Sequence, residues 1–308
     1  MLISVLIPCF NEEKSIPLIF ERLIAVIDDS QQEFDWEFLF INDGSGDNTL
    51  NIIKNLKEID NRVKYIDLSR NFGKEAAMLA GLDFVKGDAA IIIDADLQHP
   101  PEIIPEMIKE WKSGFDDVYA RRISRGKESL LRKKLSLTFY KILKNNSNND
   151  ILPNAGDFRL LDRKCIEAIK QIRESERYTK GIFSWIGFKK KEVNFHQGDR
   201  IDGKSSMTYS KLIKLALNGF TSNTTLPLRF ATLMGFIVSL CAFAYMIFIF
   251  IRTLLYGEDV RGFPTIIIII LFLGGVQLLS LGIIGEYIAK INNESKNRPV
   301  YFIREKNV

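Results

Sequence analysis

The sequence predicts an α/β domain, with a mostly parallel sheet covered by helices on both faces, followed by two membrane-spanning helices. Three observations carry this expectation. Short apolar runs rich in Ile, Val and Phe alternate with helical patterns over residues 1–120. Two long stretches toward the C-terminus hold no charged residue. The chain's 308 residues leave room for one large domain and an appendage.

The apolar runs lie at residues 3–7, 38–41, 63–68 and 89–93, with helical patterns near 15–28, 49–59 and 74–85 between them. Runs that stay apolar rather than alternating are buried on both sides, as in a parallel sheet between helix layers. Hydrophobic residues are 46% and charged residues 26% of the chain, which excludes disordered and collagen-like classes. Three scattered cysteines (Cys9, Cys165, Cys241) make no disulfide framework, and with only His99 and His196 beside them they make no zinc site. A reduced, cytosol-facing chain is expected. The N-terminal apolar stretch is short, follows no basic residue and runs into Glu12 and Glu13, so it is not read as a signal peptide.

Residues 230–251 and 262–285 contain no charge, and the second stretch includes five consecutive isoleucines at 266–270. As helices, each would be roughly 33–36 Å long, enough to cross a bilayer core. The connecting residues 252–261 are short and hold two basic and two acidic groups. Lys290, Lys296, Arg298, Arg304 and Lys306 follow the second stretch, so the positive-inside rule places the tail in the cytoplasm, and an even number of spans places the N-terminal domain there too. Two basic segments precede the spans. Residues 121–144 hold nine Lys and Arg against one acid, and 189–214 hold seven against three. Each carries an apolar stripe at helical spacing, at 131–143 and 209–220, so amphipathic helices on the membrane surface are expected there.

In a sheet of this kind ligands bind beyond the carboxyl ends of the strands. The loops there read Pro8-Cys9-Phe10-Asn11-Glu12-Glu13, Asn42-Asp43-Gly44-Ser45-Gly46-Asp47 and Asp94-Ala95-Asp96-Leu97-Gln98-His99. Two carboxylates at i and i+2 off a strand end point into one site and repel unless a cation sits beside them. Hard oxygen ligands suit Mg2+ or Mn2+, which in turn bind a diphosphate. Neither the glycine fingerprint of dinucleotide-binding dehydrogenases nor the P-loop occurs.

The motifs VLIPCFNEE, INDGSGDNT, LSRNFGKEAAMLAG, DADLQHPPE and GDFRLLDR together resemble the GT-A family 2 glycosyltransferases, and more closely the polyprenyl-phosphate sugar transferases related to dolichyl-phosphate mannose synthase. The C-terminal FLGGVQLLSLGIIGEYIAKI resembles the bactoprenol branch. The resemblance covers essentially the whole chain. It implies a GT-A nucleotide-sugar-binding fold and a cytoplasmic domain that transfers a sugar to a lipid phosphate with inversion. It implies that Pro8, Phe10, Glu12 and Asp43 line the nucleotide, with Lys74 near it and Asp94 and Ala95 facing the nucleotide sugar. Asp96 and Gln98 would hold the metal, and Asp157 would stand by the acceptor or the sugar. Arg122, Arg132, Ser136, Lys180 and Arg200 match acceptor- and phosphate-binding positions. His99 stands where several relatives carry an acid, and is read as supporting the site from behind.

The family's processive synthases carry a Gln-x-x-Arg-Trp motif and more spans. This chain has neither, so single-sugar transfer is expected. The expected acceptor is undecaprenyl phosphate and the donor a UDP-sugar, glucose or N-acetylglucosamine; GDP-mannose is the alternative. A phosphate monoester is largely ionised at pH 7, so Asp157 is expected mainly to orient, acting as a base only for the protonated remainder. The expected divisions are a catalytic domain over 1–206, an amphipathic helix over 207–228, two spans over 229–290 and a cytoplasmic tail over 291–308. The expected location is a bacterial inner membrane. A homo-oligomer is expected, and no nucleic-acid partner.

Overall fold

The computed structural model describes residues 1–28, 33–123, 155–175, 177–195, 226–256 and 262–308. They form two units, residues 1–211 with 298–308, and residues 212–297.

The first unit is built on β1 (Leu2–Cys9), β2 (Asp35–Asn42), β3 (Val63–Leu68), β4 (Ala89–Ile92), β5 (Asp117–Arg122), β6 (Ala155–Asp162), β7 (Lys190–Phe195) and β8 (Ile303–Lys306). The sheet order is β7-β5-β6-β4-β1-β2-β3-β8. Strands β4, β1, β2 and β3 run parallel, and β5 pairs parallel with β7. Strand β6 runs antiparallel to both β4 and β5, and β8 antiparallel to β3. The helices are α1 (Ser15–Asp28), α2 (Thr49–Ile59), α3 (Lys74–Phe84), α4 (Ile104–Lys112), α5 (Arg163–Lys170) and α6 (Thr179–Trp185).

The continuous apolar runs explain the layering. Successive strand residues face opposite sides, so a strand apolar throughout feeds two cores. Ile3, Val5 and Ile7 join the core containing Leu23 of α1, Ile53 of α2 and Met107 of α4. Leu6, Leu39 and Ile41 join the opposite core with Ala77 and Leu82 of α3 and Ile166 of α5. Helix α3 lies close to the sheet because Gly81 has no side chain. A Cβ there would come within 2.4 Å of Leu6 Cδ1 and 2.9 Å of Ile41 Cδ1.

The tail expected over 291–308 is not simply an extension of the chain, because residues 303–306 form the outer strand β8. The basic segments also divide differently from a pair of helices. Arg121 and Arg122 end β5, and 190–195 are the strand β7. The apolar stripes at 131–143 and 209–220, and with them Arg132, Ser136 and Arg200, lie outside the described residues.

The second unit holds α7 (Leu226–Tyr256) and α8 (Phe263–Ser295), of 31 and 33 residues, which pack against each other. Phe236, Leu240 and Phe243 of α7 and Leu278 and Leu281 of α8 are exposed. Among the described residues one stretch, Phe272–Ser295, is long and apolar enough to cross a membrane, and none of its most apolar window is buried; Ala231–Tyr245 is apolar but shorter.

Candidate active site

The loops beyond β1, β2 and β4 lie at one sheet edge because these strands are parallel neighbours. The loops after β1 and β2 are stitched together. Asn11 N–H donates to Ser45 Oγ, and Gly46 N–H donates back to Asn11 Oδ1. Glu12 N–H donates to Thr49 Oγ1, Glu13 N–H to Asp47 Oδ2, and Asn48 N–H to Glu13 Oε2. Asn11 takes a left-handed φ of 56°, which asparagine tolerates better than most residues. Pro8 is half-buried and Phe10 is 47% exposed, an apolar ring presented at the loop surface. Glu12 caps α1 with its carbonyl, and its Oε2 accepts from Ser15 Oγ at 2.6 Å.

Asp43 has a task that the sequence did not show. Its two oxygens accept from Phe72 N–H at 2.8 Å and Gly73 N–H at 3.0 Å, so it holds the loop between β3 and α3. Burial pushes its carboxyl up from the usual range, and those two amides oppose the shift. Gly44 beside it has φ 65°, and a Cβ there would meet the Arg70 carbonyl carbon at 2.4 Å. The two loops therefore touch through backbone.

Gly73 leads straight into Lys74 at the start of α3. Lys74 Nζ lies 2.5 Å from Asp94 Oδ1 and donates to Asp157 Oδ2 at 2.7 Å. The structure thus brings together three residues from three separate motifs. Burial lowers the pKa of the Lys74 ammonium, but the charges of Asp94 and Asp157 outweigh it and the net shift is upward. Burial acts to raise the Asp157 carboxyl, but Lys74 and Lys180 overcome it and bring it down to about 2. Asp157 is ionised throughout the neutral range, and its Oδ1 is buried with no hydrogen-bond partner among the described residues.

The Asp94–Gln98 turn is tight. Leu97 adopts φ 62°, uncommon for a residue with a Cβ, and Gln98 N–H donates to Asp96 Oδ1. Ala95 and Leu97 are buried under the turn, while Asp94, Asp96 and Gln98 are partly exposed. His99 is buried, its ring tilted against Phe158 and edge-on to Phe195 with centroids 5.2 and 5.8 Å away, and its Nδ1 lies 3.7 Å from Asp94 Oδ2. Burial lowers its pKa, favouring the neutral ring. Lys180 stands on α6, where its charge acts on Asp157 and Glu75, and Arg122 ends β5.

Among the described residues no group of three or more His, Cys, Asp and Glu is placed to hold a metal ion by itself. A divalent cation bound with a diphosphate needs only one or two protein carboxylates, since phosphate oxygens and water complete its shell. The oxygen donors of Asp96 and Gln98, carried on one tight turn, fit that requirement.

Two contributors escaped the sequence reading. Glu75 accepts from Thr179 N–H at 3.0 Å and also from Thr179 Oγ1, tying α3 to α6. Burial and the Asp157 charge push its carboxyl up to about 7. Its only sequence signal is an acid in a helix's first turn, which is too common to point to a site. Arg159 lies two residues beyond Asp157, donates to buried Asp117 at 2.9 Å and to the Gly156 carbonyl at 3.0 Å, and stacks over Phe183.

This arrangement of strand-end carboxylates and a shared ammonium goes with sequence similarity along the whole chain. Residues 4–170 match the glycosyl transferase family 2 profile, and 226–291 match the profile described as the GtrB C-terminal hairpin. The chain belongs to glycosyl transferase family 2, has its GT-A-like fold and is a glycosyltransferase. It is 43% identical to the bactoprenol glucosyl transferase of Shigella phage SfV, over 99% of this chain and 98% of that protein. The prophage-derived bactoprenol glucosyl transferase of Shigella flexneri is also 43% identical, with the same coverage. A Synechocystis glycosyltransferase is 42% identical over 98% of this chain and 95% of its own length.

Proposed function

We propose that the protein moves one sugar, glucose or N-acetylglucosamine, from a UDP-sugar to undecaprenyl phosphate at a bacterial inner membrane. The observation that carries this reading is Lys74, held between Asp94 of the β4 loop and Asp157 of β6. The relatives named bactoprenol glucosyl transferases support the lipid acceptor and glucose. The apolar helices α7 and α8 support a membrane-anchored chain with the catalytic unit and tail on the cytoplasmic side.

In this reading the stitched loops carrying Pro8, Phe10, Glu12 and Asp43 receive the nucleotide. Asp94 and Ala95 face its sugar. Asp96 and Gln98 hold Mg2+ or Mn2+, which supplies charge neutralisation on the departing diphosphate. An oxygen of the acceptor phosphate attacks the sugar's anomeric carbon from the face opposite the leaving group. The bond to the diphosphate breaks and its electron pair stays on the β-phosphate oxygen. Lys74, already positive and fixed by two carboxylates, stabilises that charge without reorganising. Arg122 and Lys180, with Arg132, Ser136 and Arg200 outside the described residues, gather the acceptor phosphate. Asp157, at about 2, is a poor proton acceptor and orients the acceptor or sugar. The acceptor needs little help from a base, since its second pKa is near 6.

The test is transfer by the full chain in detergent, with undecaprenyl phosphate, Mg2+ or Mn2+, and radiolabelled UDP-glucose, UDP-N-acetylglucosamine or GDP-mannose in parallel. Label entering the organic phase from a UDP-sugar, and lost on adding EDTA, is the expected result. Label only from GDP-mannose would replace the donor. No label from any donor, with folded protein that binds UDP, would overturn the acceptor.

A further inference from the structure

The loop at residues 69–73 joins two parts of the site. Asp43 holds its far end through Phe72 N–H and Gly73 N–H, and Lys74 follows directly. On one side it rests on Gly44, whose missing side chain leaves space for the Arg70–Asn71 backbone. Its other side meets the last residues of the chain. Ser69 N–H donates to the Phe302 carbonyl at 2.9 Å, and Arg304 Nη2 donates to the Ser69 carbonyl at 2.6 Å. The Phe302 ring lies 6.3 Å from that of Phe72, although Phe302 is 56% exposed. Arg304 Nη1 also lies 3.4 Å from the buried Asp67 Oδ2, and Asp67 Oδ1 accepts from Asn42, the residue before Asp43.

A strand that only closed the sheet edge would need backbone pairing with β3 and nothing more. Strand β8 pairs with β3 at Ile66–Leu68, but the Phe302 and Arg304 contacts reach beyond that ladder onto the loop. Glu305, by contrast, faces away from the loop, pairing with Lys54 and Tyr65 at 2.7 and 2.6 Å. Residues 302–305, the strand and the residue before it, therefore carry two separable sets of contacts, one on the loop and one on α2 and β3.

We infer that the C-terminal strand is a positioning element of the active site: Phe302 and Arg304 hold the 69–73 loop in the conformation that presents Asp43 and Lys74 to the nucleotide sugar. This rests on the donor-site reading above. Holding the loop in advance removes an ordering cost from each binding event, so loosening it weakens donor affinity before it touches chemistry.

The experiment compares the full chain in detergent with four variants, the Phe302→Ala/Arg304→Gln pair, Phe302→Ala, Phe302→Tyr and Glu305→Gln. The readouts are UDP affinity by calorimetry, donor KM and kcat, and the thermal transition. The expected result is a dissociation constant for UDP and a donor KM raised roughly fivefold in the double variant, with kcat near the parent's. Glu305→Gln should lower the thermal transition and leave UDP affinity in place. Phe302→Ala alone keeps the test open if the double variant does not fold, and Phe302→Tyr should restore affinity. Unchanged UDP affinity and KM in the loop-side variants, with only the thermal transition lowered, would overturn the inference while leaving the donor site standing. A parent protein that binds no UDP would overturn the donor-site reading and this inference with it.

Discussion

Asp157 is the residue whose protonation state the electrostatics define most sharply. A carboxyl brought down to about 2 is ionised across the working range, so its contribution should not titrate there. Asp157→Asn is expected to lower kcat by about 100-fold or more, with the same loss at pH 6 and pH 8. A loss that shrinks as pH rises would restore a base role. Glu75 behaves oppositely. The folded protein holds its proton up to about pH 7, whereas an unfolded glutamate releases it near 4.5. The native state then binds more protons between those values, and stability falls as pH rises from about 4.5 to 7. Glu75→Gln keeps an acceptor for Thr179 and removes the titration. Its thermal transition should therefore gain on the parent's over that window and run parallel above pH 8, as thermal melts across pH would show.

At the level of elements, the site depends on close backbone approaches. Helix α3 reaches the sheet through Gly81, and its first residue is Lys74. Gly81→Val would force Leu6 and Ile41 aside and is expected to cost about 1–3 kcal/mol by denaturant unfolding. Gly44→Ala carries two penalties, a left-handed φ and a Cβ 2.4 Å from the Arg70 carbonyl carbon. It is expected to cost a comparable amount and to raise donor KM, since the touching loops carry Asp43 and lead into Lys74. A KM equal to the parent's would separate this turn from donor binding.

Across the whole molecule, the catalytic unit gathers charge and the helical unit gathers exposed apolar surface. Large apolar side chains exposed along both helices, among them Phe236, Leu240, Phe243, Leu278 and Leu281, mark surface that meets lipid or protein rather than water. With α7 and α8 as membrane helices, the chain should stay in the membrane fraction through high salt and alkaline washes and leave only with detergent. Release by salt alone would reduce the attachment to the basic segments.

Local patterns determined much of this protein. Uninterrupted Val, Ile and Phe runs declared buried parallel strands, because only a strand covered on both faces has no polar side. The loops after them stood out as a candidate site, because parallel strands deliver their carboxyl ends to one edge; Asp94 and Asp96 were singled out for that reason, and Lys74 only through the family motifs. What stayed hidden depends on distant partners. YFIREK reads as a charged tail, and becomes β8 only when Tyr65 lies opposite Glu305, 240 residues away in sequence. Asp43 as a loop anchor, Glu75 as a proton-holding acid and the Lys74 ammonium shared by two carboxylates are likewise products of tertiary structure. A charge's environment is set by what folding packs around it and by how much water that packing removes, and neither is written in its sequence neighbours.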